Sequence, residues 1–165
     1  MTYRLASRSR RNLEGVHPDL VRVVERAIEI TRVDFAVIEG LRSIERQREL
    51  VARGSSRTLD SRHLMQPDGY GHAVDVMAVG DLDGDGDVVA QDRSRAWDRD
   101  WYYLISVAME RAALGLGVEI RWGGRFKGFF DGPHFELDPV AALASGPDQL
   151  PHGTAVPEAG GSVRA

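Results

Sequence analysis

The sequence predicts an α+β domain, a small antiparallel sheet with flanking helices. Three observations point there: long stretches carry apolar residues at helical spacing, short β-branched and aromatic runs lie between and after them, and the two kinds do not alternate as regular βαβ units. The opening MTYRLASRSRRN carries Arg4, Arg8, Arg10 and Arg11 and reads as a solvated basic arm rather than a contact for a polyanion. In HPDLVRVVERAIEIT, Leu20, Val23, Val24, Ala27 and Ile28 share one helical face, with Pro18 in the first turn and Asp19 at the positive end of the dipole. VDFAVIEG then reads as a buried strand ending at Gly40. A second helix starts behind the N-cap Ser43 and runs through IERQRELVAR to Gly54, a C-terminal stop. SSRTLDSR is polar loop. GHAVDVMAV alternates as a strand, placing Ala73, Asp75 and Met77 on one face and Val74 and Val76 on the other. From about Trp97 to Leu114, the stripe Trp101, Leu104, Ile105, Ala108 and Ala112 predicts a long helix closed by Gly115. VEIRW and HFEL read as two further short strands joined by the Gly-rich GGRFKGFFDGP.

Composition bounds the function. The 165 residues suffice for one core, expected over 1–145, and the Gly-, Pro- and Ala-rich 146–165 reads as a flexible tail. No long uncharged apolar run exists to span a membrane, and the first residues lack the apolar segment of a secretory signal, so synthesis in the cytoplasm is expected. A net charge of -4 and pI near 5.7 argue against nucleic-acid binding. A monomer is expected. With no cysteine, any transition metal must be held by imidazole and carboxylate.

His63 in SRHLMQPDGYGHAVDVMA, Asp75 on its predicted strand and His134 in FFDGPHFEL supply the donor count of a catalytic zinc site, which keeps one coordination position open. His17, His72 and His152 read as surface or hydrogen-bonded residues. Spacing alone leaves His72 competing with the others, since it lies three positions from Asp75. Asp131, three residues before His134, is close enough in sequence to serve as a general base. Separately, DLDGDGDVVAQD puts Asp81, Asp83 and Asp85 at the first, third and fifth positions of an EF-hand-like loop, with Gly86 sixth, Asp87 seventh and Asp92 twelfth. This predicts a calcium site; the alternative is an acidic solvated turn.

Three ordered motifs carry a family resemblance. Ser61 and His63 are followed by Gly71, Ala73 and Asp75; Asp131 precedes His134 by three; and Arg42, Ser43, Gln47 and Leu50 form Arg-Ser-x-x-x-Gln-x-x-Leu. The chain thereby resembles the zinc peptidases that include D-alanyl-D-alanine carboxypeptidases, dipeptidases and phage L-alanyl-D-glutamate endopeptidases, over about Asn12 to Leu137. The resemblance implies a hedgehog and D-Ala-D-Ala-peptidase-like fold, with zinc on His63, Asp75 and His134. It also implies that Asp131 takes the proton of the attacking water. By the same likeness Arg42 binds a substrate carboxylate or the developing oxyanion, and Ser43, Gln47 and Ser61 join it in binding substrate. For Arg42 the plain alternative is a surface ion pair with Glu39 or Glu45.

The implied partners are peptidoglycan stem peptides, cleaved most naturally at the L-alanyl-D-glutamate bond by an endolysin acting on the wall after release. The alternatives are a D,D-carboxypeptidase or dipeptidase of the same fold, and a non-catalytic zinc-containing wall-binding module. Two departures stand out. LMQPDGY between His63 and Gly71 is five residues longer than the family's usual spacing, and Leu41 stands where many relatives carry Tyr.

Overall fold

A computed structural model of the chain describes residues 2–80 and 99–139. The helices are α1 (Ser7–Asn12), α2 (Pro18–Ile30), α3 (Ile44–Ala52) and α4 (Arg99–Leu116). The strands are β1 (Phe35–Glu39), β2 (Ala73–Ala78), β3 (Ile120–Trp122) and β4 (His134–Leu137). They form one antiparallel sheet in the order β1-β2-β4-β3, the α+β architecture that the sequence predicts. A 3-10 turn at Gly123–Arg125 follows β3 inside the Gly-rich connection.

Period-two alternation gives the sheet two different faces. Val74, Val76, Phe135, Leu137 and Trp122 enter the apolar core with Phe35 and Val37. Asp75, His134 and Glu136 occupy the opposite face, because each is one residue out of phase with those core positions. Onto the apolar face pack α2, through Leu20, Val23, Val24, Ala27 and Ile28, and α4, through Tyr102, Ile105, Met109, Ala112 and Ala113. Burying a side chain such as Phe135 or Leu20 stabilises the fold by about 1.5–3 kcal/mol. The α4 stripe is therefore turned from the expected one: Tyr102 and Met109 lie at its centre, and Trp101 and Leu104 at its edge.

Helix ends follow backbone chemistry. Gly54, with φ of 72°, ends α3 as the sequence predicts: Ser55 N–H reaches Leu50 O at 2.8 Å and Gly54 N–H reaches Val51 O at 3.0 Å. In α4 the same device falls at Gly117 (φ 67°) rather than Gly115, so the helix runs two residues past the expected Leu114.

The amino-terminal segment corrects the expectation of a solvated arm. Its arginines are exposed, but its backbone folds into α1, and Leu5 and Leu13 are buried in the core. Val37 lies on the outer edge strand; its N–H donates to Ser9 Oγ at 3.1 Å, and its carbonyl accepts from Asn12 Nδ2 at 2.8 Å. α1 thus covers a sheet edge that would otherwise present unpaired groups. A six-residue helix without apolar periodicity owes its stability to such contacts, which is why composition alone does not reveal it.

Two irregularities aim residues at the polar face. A register shift between Val37 and Glu39 brings Glu39 opposite Asp75, although strict alternation would send it to the same side as Val37. Next to it, a Cβ on Gly40 would overlap the Asn12 carbonyl oxygen. Gly40→Ala is expected to lower unfolding free energy by about 1–3 kcal/mol through overpacking, measured by urea denaturation.

Candidate metal centre

Three elements bring the predicted ligands together. Asp75 and His134 are directly paired residues of β2 and β4, while His63 arrives from the segment after α3, tied by its carbonyl to Arg42 N–H at 2.8 Å. His63 Nε2, His134 Nδ1 and Asp75 Oδ1 form a triangle with every side 3.2 Å. Tetrahedral coordination with bonds of about 2.0–2.1 Å separates ligand atoms by about 3.3 Å. The donors fit a small tetrahedral cation.

Hydrogen bonds fix which nitrogen faces inward. His63 Nδ1 lies 2.8 Å from the Gly40 carbonyl, which only accepts, so Nδ1 carries the proton and Nε2 offers its lone pair. His134 Nε2 lies 3.0 Å from Glu136 Oε2, so it donates there and leaves Nδ1 to the centre. Such outer partners fix ring orientation and raise ligand basicity. Glu136 was not among the expected site residues, yet its signal was present: it stands two positions after His134 and shares its strand face.

The electrostatics ask for positive charge at the triangle. Burial pushes the Asp75 carboxyl up, but the His63 and His134 imidazoles outweigh it and hold the group well below the usual carboxylate range. Burial works against a charged His134, whereas its bonds to Asp75 and Glu136 raise it to about 9. Two carboxylates thus draw a proton to the place where a divalent ion would sit.

Around this triangle the remaining expected residues take defined positions. Arg42 is buried and donates to both Glu39 oxygens at 2.9 and 2.7 Å, to Gln47 Oε1 at 2.6 Å and to Asp75 Oδ2 at 3.4 Å. Its Glu39 pairing is therefore an enclosed network rather than a surface pair. Gln47 is fully enclosed, its amide nitrogen donating to Ser56 Oγ and the Thr58 carbonyl, so it braces Arg42 and has no surface to offer a peptide. Ser43 Oγ caps α3 by accepting from Arg46 N–H, and Ser61 Oγ accepts from His63 N–H at 3.3 Å. Asp131 folds over Gly123, where a Cβ would collide with it, and its carbonyl accepts from His134 N–H at 3.3 Å. Burial, reinforced by the Asp75 charge, raises the Asp131 carboxyl above its ordinary value.

His17, Asp68 and His72 form a second His and Asp group among the described residues. Its chemistry differs. His72 Nδ1 faces Arg62 Nη2 at 2.8 Å, and a guanidinium only donates, so Nε2 carries the proton and gives it to Asp68 at 2.6 Å. His17 Nδ1 accepts from Asp19 N–H, which turns its Nε2–H toward the same carboxylate at 3.8 Å. Neither ring has a free lone pair for a cation; the group is a clamp on a carboxylate. It pins the five-residue extension, which folds as a tight turn with Gly69 N–H to Gln66 O at 2.9 Å and Gly69 at φ 88°. The hydrogen-bonded role expected of His17 and His72 is what the structure shows.

The acidic loop of Asp81, Asp83, Asp85, Asp87 and Asp92 lies outside the described residues, as do His152 and the expected tail 146–165.

Comparison with known proteins decides the family. The sequence profile described as phage L-alanyl-D-glutamate peptidase matches residues 1–138. The chain belongs to the phage L-alanyl-D-glutamate peptidase family. A relative within reach of this family, the L-alanyl-D-glutamate peptidase of Escherichia phage T5, is 26% identical over 152 residues, covering 83% of this chain and 99% of that protein. The crystal structure of the Serratia marcescens L-Ala D-Glu endopeptidase ChiX superposes with a TM-score of 0.69 at 46% identity, covering 86% of this chain and 94% of that one. The His63, Asp75 and His134 group could hold a metal ion, consistent with a metal-dependent peptidase.

Glu136→Ala is expected to weaken metal affinity about 10–100-fold, read by competition with a chromophoric chelator. Asp68→Asn should leave the metal stoichiometry of the wild type unchanged while lowering stability by about 1 kcal/mol. Burial opposes ionisation of Asp68, but the His72 hydrogen bond, with the Tyr70 N–H, lowers its pKa. The difference between wild type and Asp68→Asn is therefore full above the ordinary carboxylate pKa and fades as pH falls through the depressed one, measured by thermal melts across an acid series.

Proposed function

We propose that the protein is a zinc-dependent peptidoglycan peptidase that hydrolyses the L-alanyl-D-glutamate bond of stem peptides, acting on the cell wall as a phage-type endolysin. The observation that carries this reading is the 3.2 Å triangle of His63 Nε2, His134 Nδ1 and Asp75 Oδ1, with both imidazole tautomers set by outer acceptors. Family membership and the named activities of the phage T5 and Serratia marcescens proteins support the choice of bond. No helix among the described residues is long and apolar enough to cross a membrane.

When bound, a zinc ion on these ligands supplies Lewis acidity, which makes water nucleophilic near neutral pH and polarises the scissile carbonyl. The chain's own residues do the rest. Asp131, its carboxyl raised by burial and by Asp75, accepts the proton of the attacking water. As the carbon–nitrogen bond breaks, Asp131 returns that proton to the departing amine, leaving a carboxyl on alanine and an amino group on glutamate. Arg42, held in place by Glu39 and Gln47, is a fixed positive charge beside Asp75 that favours negative charge developing on the carbonyl oxygen. Phe126, whose ring centre lies 5.8 Å from that of His134, forms an apolar wall against this ligand.

Digestion of purified muropeptides with mass analysis of the products tests the reading. New glutamyl amino termini that vanish with chelator and return with zinc are expected; cleavage confined to D-alanine would overturn the bond assignment. Asp131→Ala should retain metal and lose about 10²–10⁴-fold in turnover, read by elemental analysis beside the same digestion. A module that merely binds the wall would be indifferent to this change.

A further inference from the structure

We infer that Arg57, resting on Phe129 at the rim of the metal centre, is a specificity-determining residue that receives the free glutamyl carboxylate of the substrate. The inference rests on the peptidase reading above. A glutamyl residue carries two carboxyl groups, and a linear stem can use only one to continue the chain. The other remains an anion next to the scissile amide. Such a site needs a cation to receive it.

Arg42 is poorly placed to do so. It is buried, and its guanidinium already serves both oxygens of Glu39, Gln47 Oε1 and Asp75 Oδ2. Four of its five N–H donors are already used, which leaves no pair of donors for bidentate capture of a further carboxylate. Among the neighbouring arginines, Arg46 pairs with Glu49, Arg121 with Glu136 and Arg125 with Glu110. Arg57 differs from these three, and unlike the exposed Lys127 of the same rim it is oriented by an aromatic ring. It is exposed, pairs with no carboxylate among the described residues, and holds its guanidinium 4.9 Å from the Phe129 ring centre.

Two chains of contact lead from separate metal ligands and converge on Arg57. One runs from Asp75 to Arg42 at 3.4 Å, to Gln47 at 2.6 Å and to the carbonyl of Thr58 at 2.6 Å, the residue after Arg57. The other runs from His134 to Phe126 at 5.8 Å, to Phe129 at 5.6 Å and then to the guanidinium. Since Asp75 and His134 are themselves paired, both routes start from one cross-strand pair and end at residues 57 and 58, so Arg57 lies only a few side chains from the candidate ligands. In this inference the substrate, with its carbonyl at the ligands, extends over Phe126 and Phe129 to the guanidinium. The guanidinium rests on an aromatic face rather than on a carboxylate, so an incoming carboxylate displaces no ion pair and can bind at the guanidinium edge while the stacking persists.

The test uses two synthetic stem peptides that differ only in bearing the glutamyl group as carboxylate or carboxamide. Wild type, Arg57→Gln and Arg57→Lys are compared, with metal content and melting temperature recorded for each. In wild type the carboxylate peptide should show a KM about tenfold lower than the carboxamide. Arg57→Gln should raise KM for the carboxylate peptide alone and erase the preference, with kcat within about twofold; Arg57→Lys should restore part of it. An unchanged carboxylate-to-carboxamide ratio in Arg57→Gln overturns the inference. Calorimetric binding of both peptides to Asp131→Ala, with and without Arg57→Gln, reads the same preference without turnover. If wild type cleaves neither peptide, the peptidase reading fails on its own, and the binding ratio still decides whether Arg57 recognises the carboxylate.

Discussion

The cross-strand pairing of Asp75 with His134 is the constraint on which the rest of the structure depends. Directly opposed residues on one sheet face have Cβ atoms about 4.5–5.5 Å apart, close enough for a carboxylate and an imidazole to share one ion. The opposite face is filled by Val74, Val76, Phe135 and Trp122, with Trp122 and Phe135 stacked at 6.3 Å. A slip of one residue would drive Asp75 and His134 into that core and expose the apolar set. The hydrophobic pattern therefore enforces the register that the chemistry uses.

The third candidate ligand, His63, comes from outside the sheet, and its placement depends on backbone rather than side chains. Gly40 lets the end of α1 approach closely and turns its carbonyl toward His63. Glu39, brought to the polar face by the bulge, holds Arg42, and Arg42 in turn steadies Asp75. Ligands at positions 63, 75 and 134 are far apart in an unfolded chain. A cation bound at their meeting point thus favours the native state alone, so metal binding and folding are thermodynamically linked.

Much of this was legible in the sequence because it follows from periodicity. Alternation in GHAVDVMAV separates Asp75 from Val74 and Val76, and the helical stripe of α2 reproduces its buried set residue for residue. What periodicity does not encode is tertiary. α1 is helical because Ser9 and Asn12 satisfy Val37. The enclosure of Gln47 and Arg42 depends on a loop, Ser56 to Thr58, whose partners lie on another element. Gly115 and Gly117 are equally good helix stops by composition; the left-handed φ of Gly117 and the hydrogen bond from Val118 N–H to Ala113 O separate them. The clamp at Asp68 needs tautomers, which no spacing rule supplies.

The turn at Gln66 to Gly69 has a practical corollary. Behind it, His72 N–H meets Arg62 O at 2.7 Å and Gln66 N–H meets Tyr70 O at 2.8 Å, so the hairpin is already zipped before the chain reverses. The separation of His63 and Asp75 is settled at its base, independent of how many residues the tip contains. That makes the tip a natural splice point in this scaffold, where a foreign peptide or new chain ends can be introduced without disturbing the chemistry one strand away.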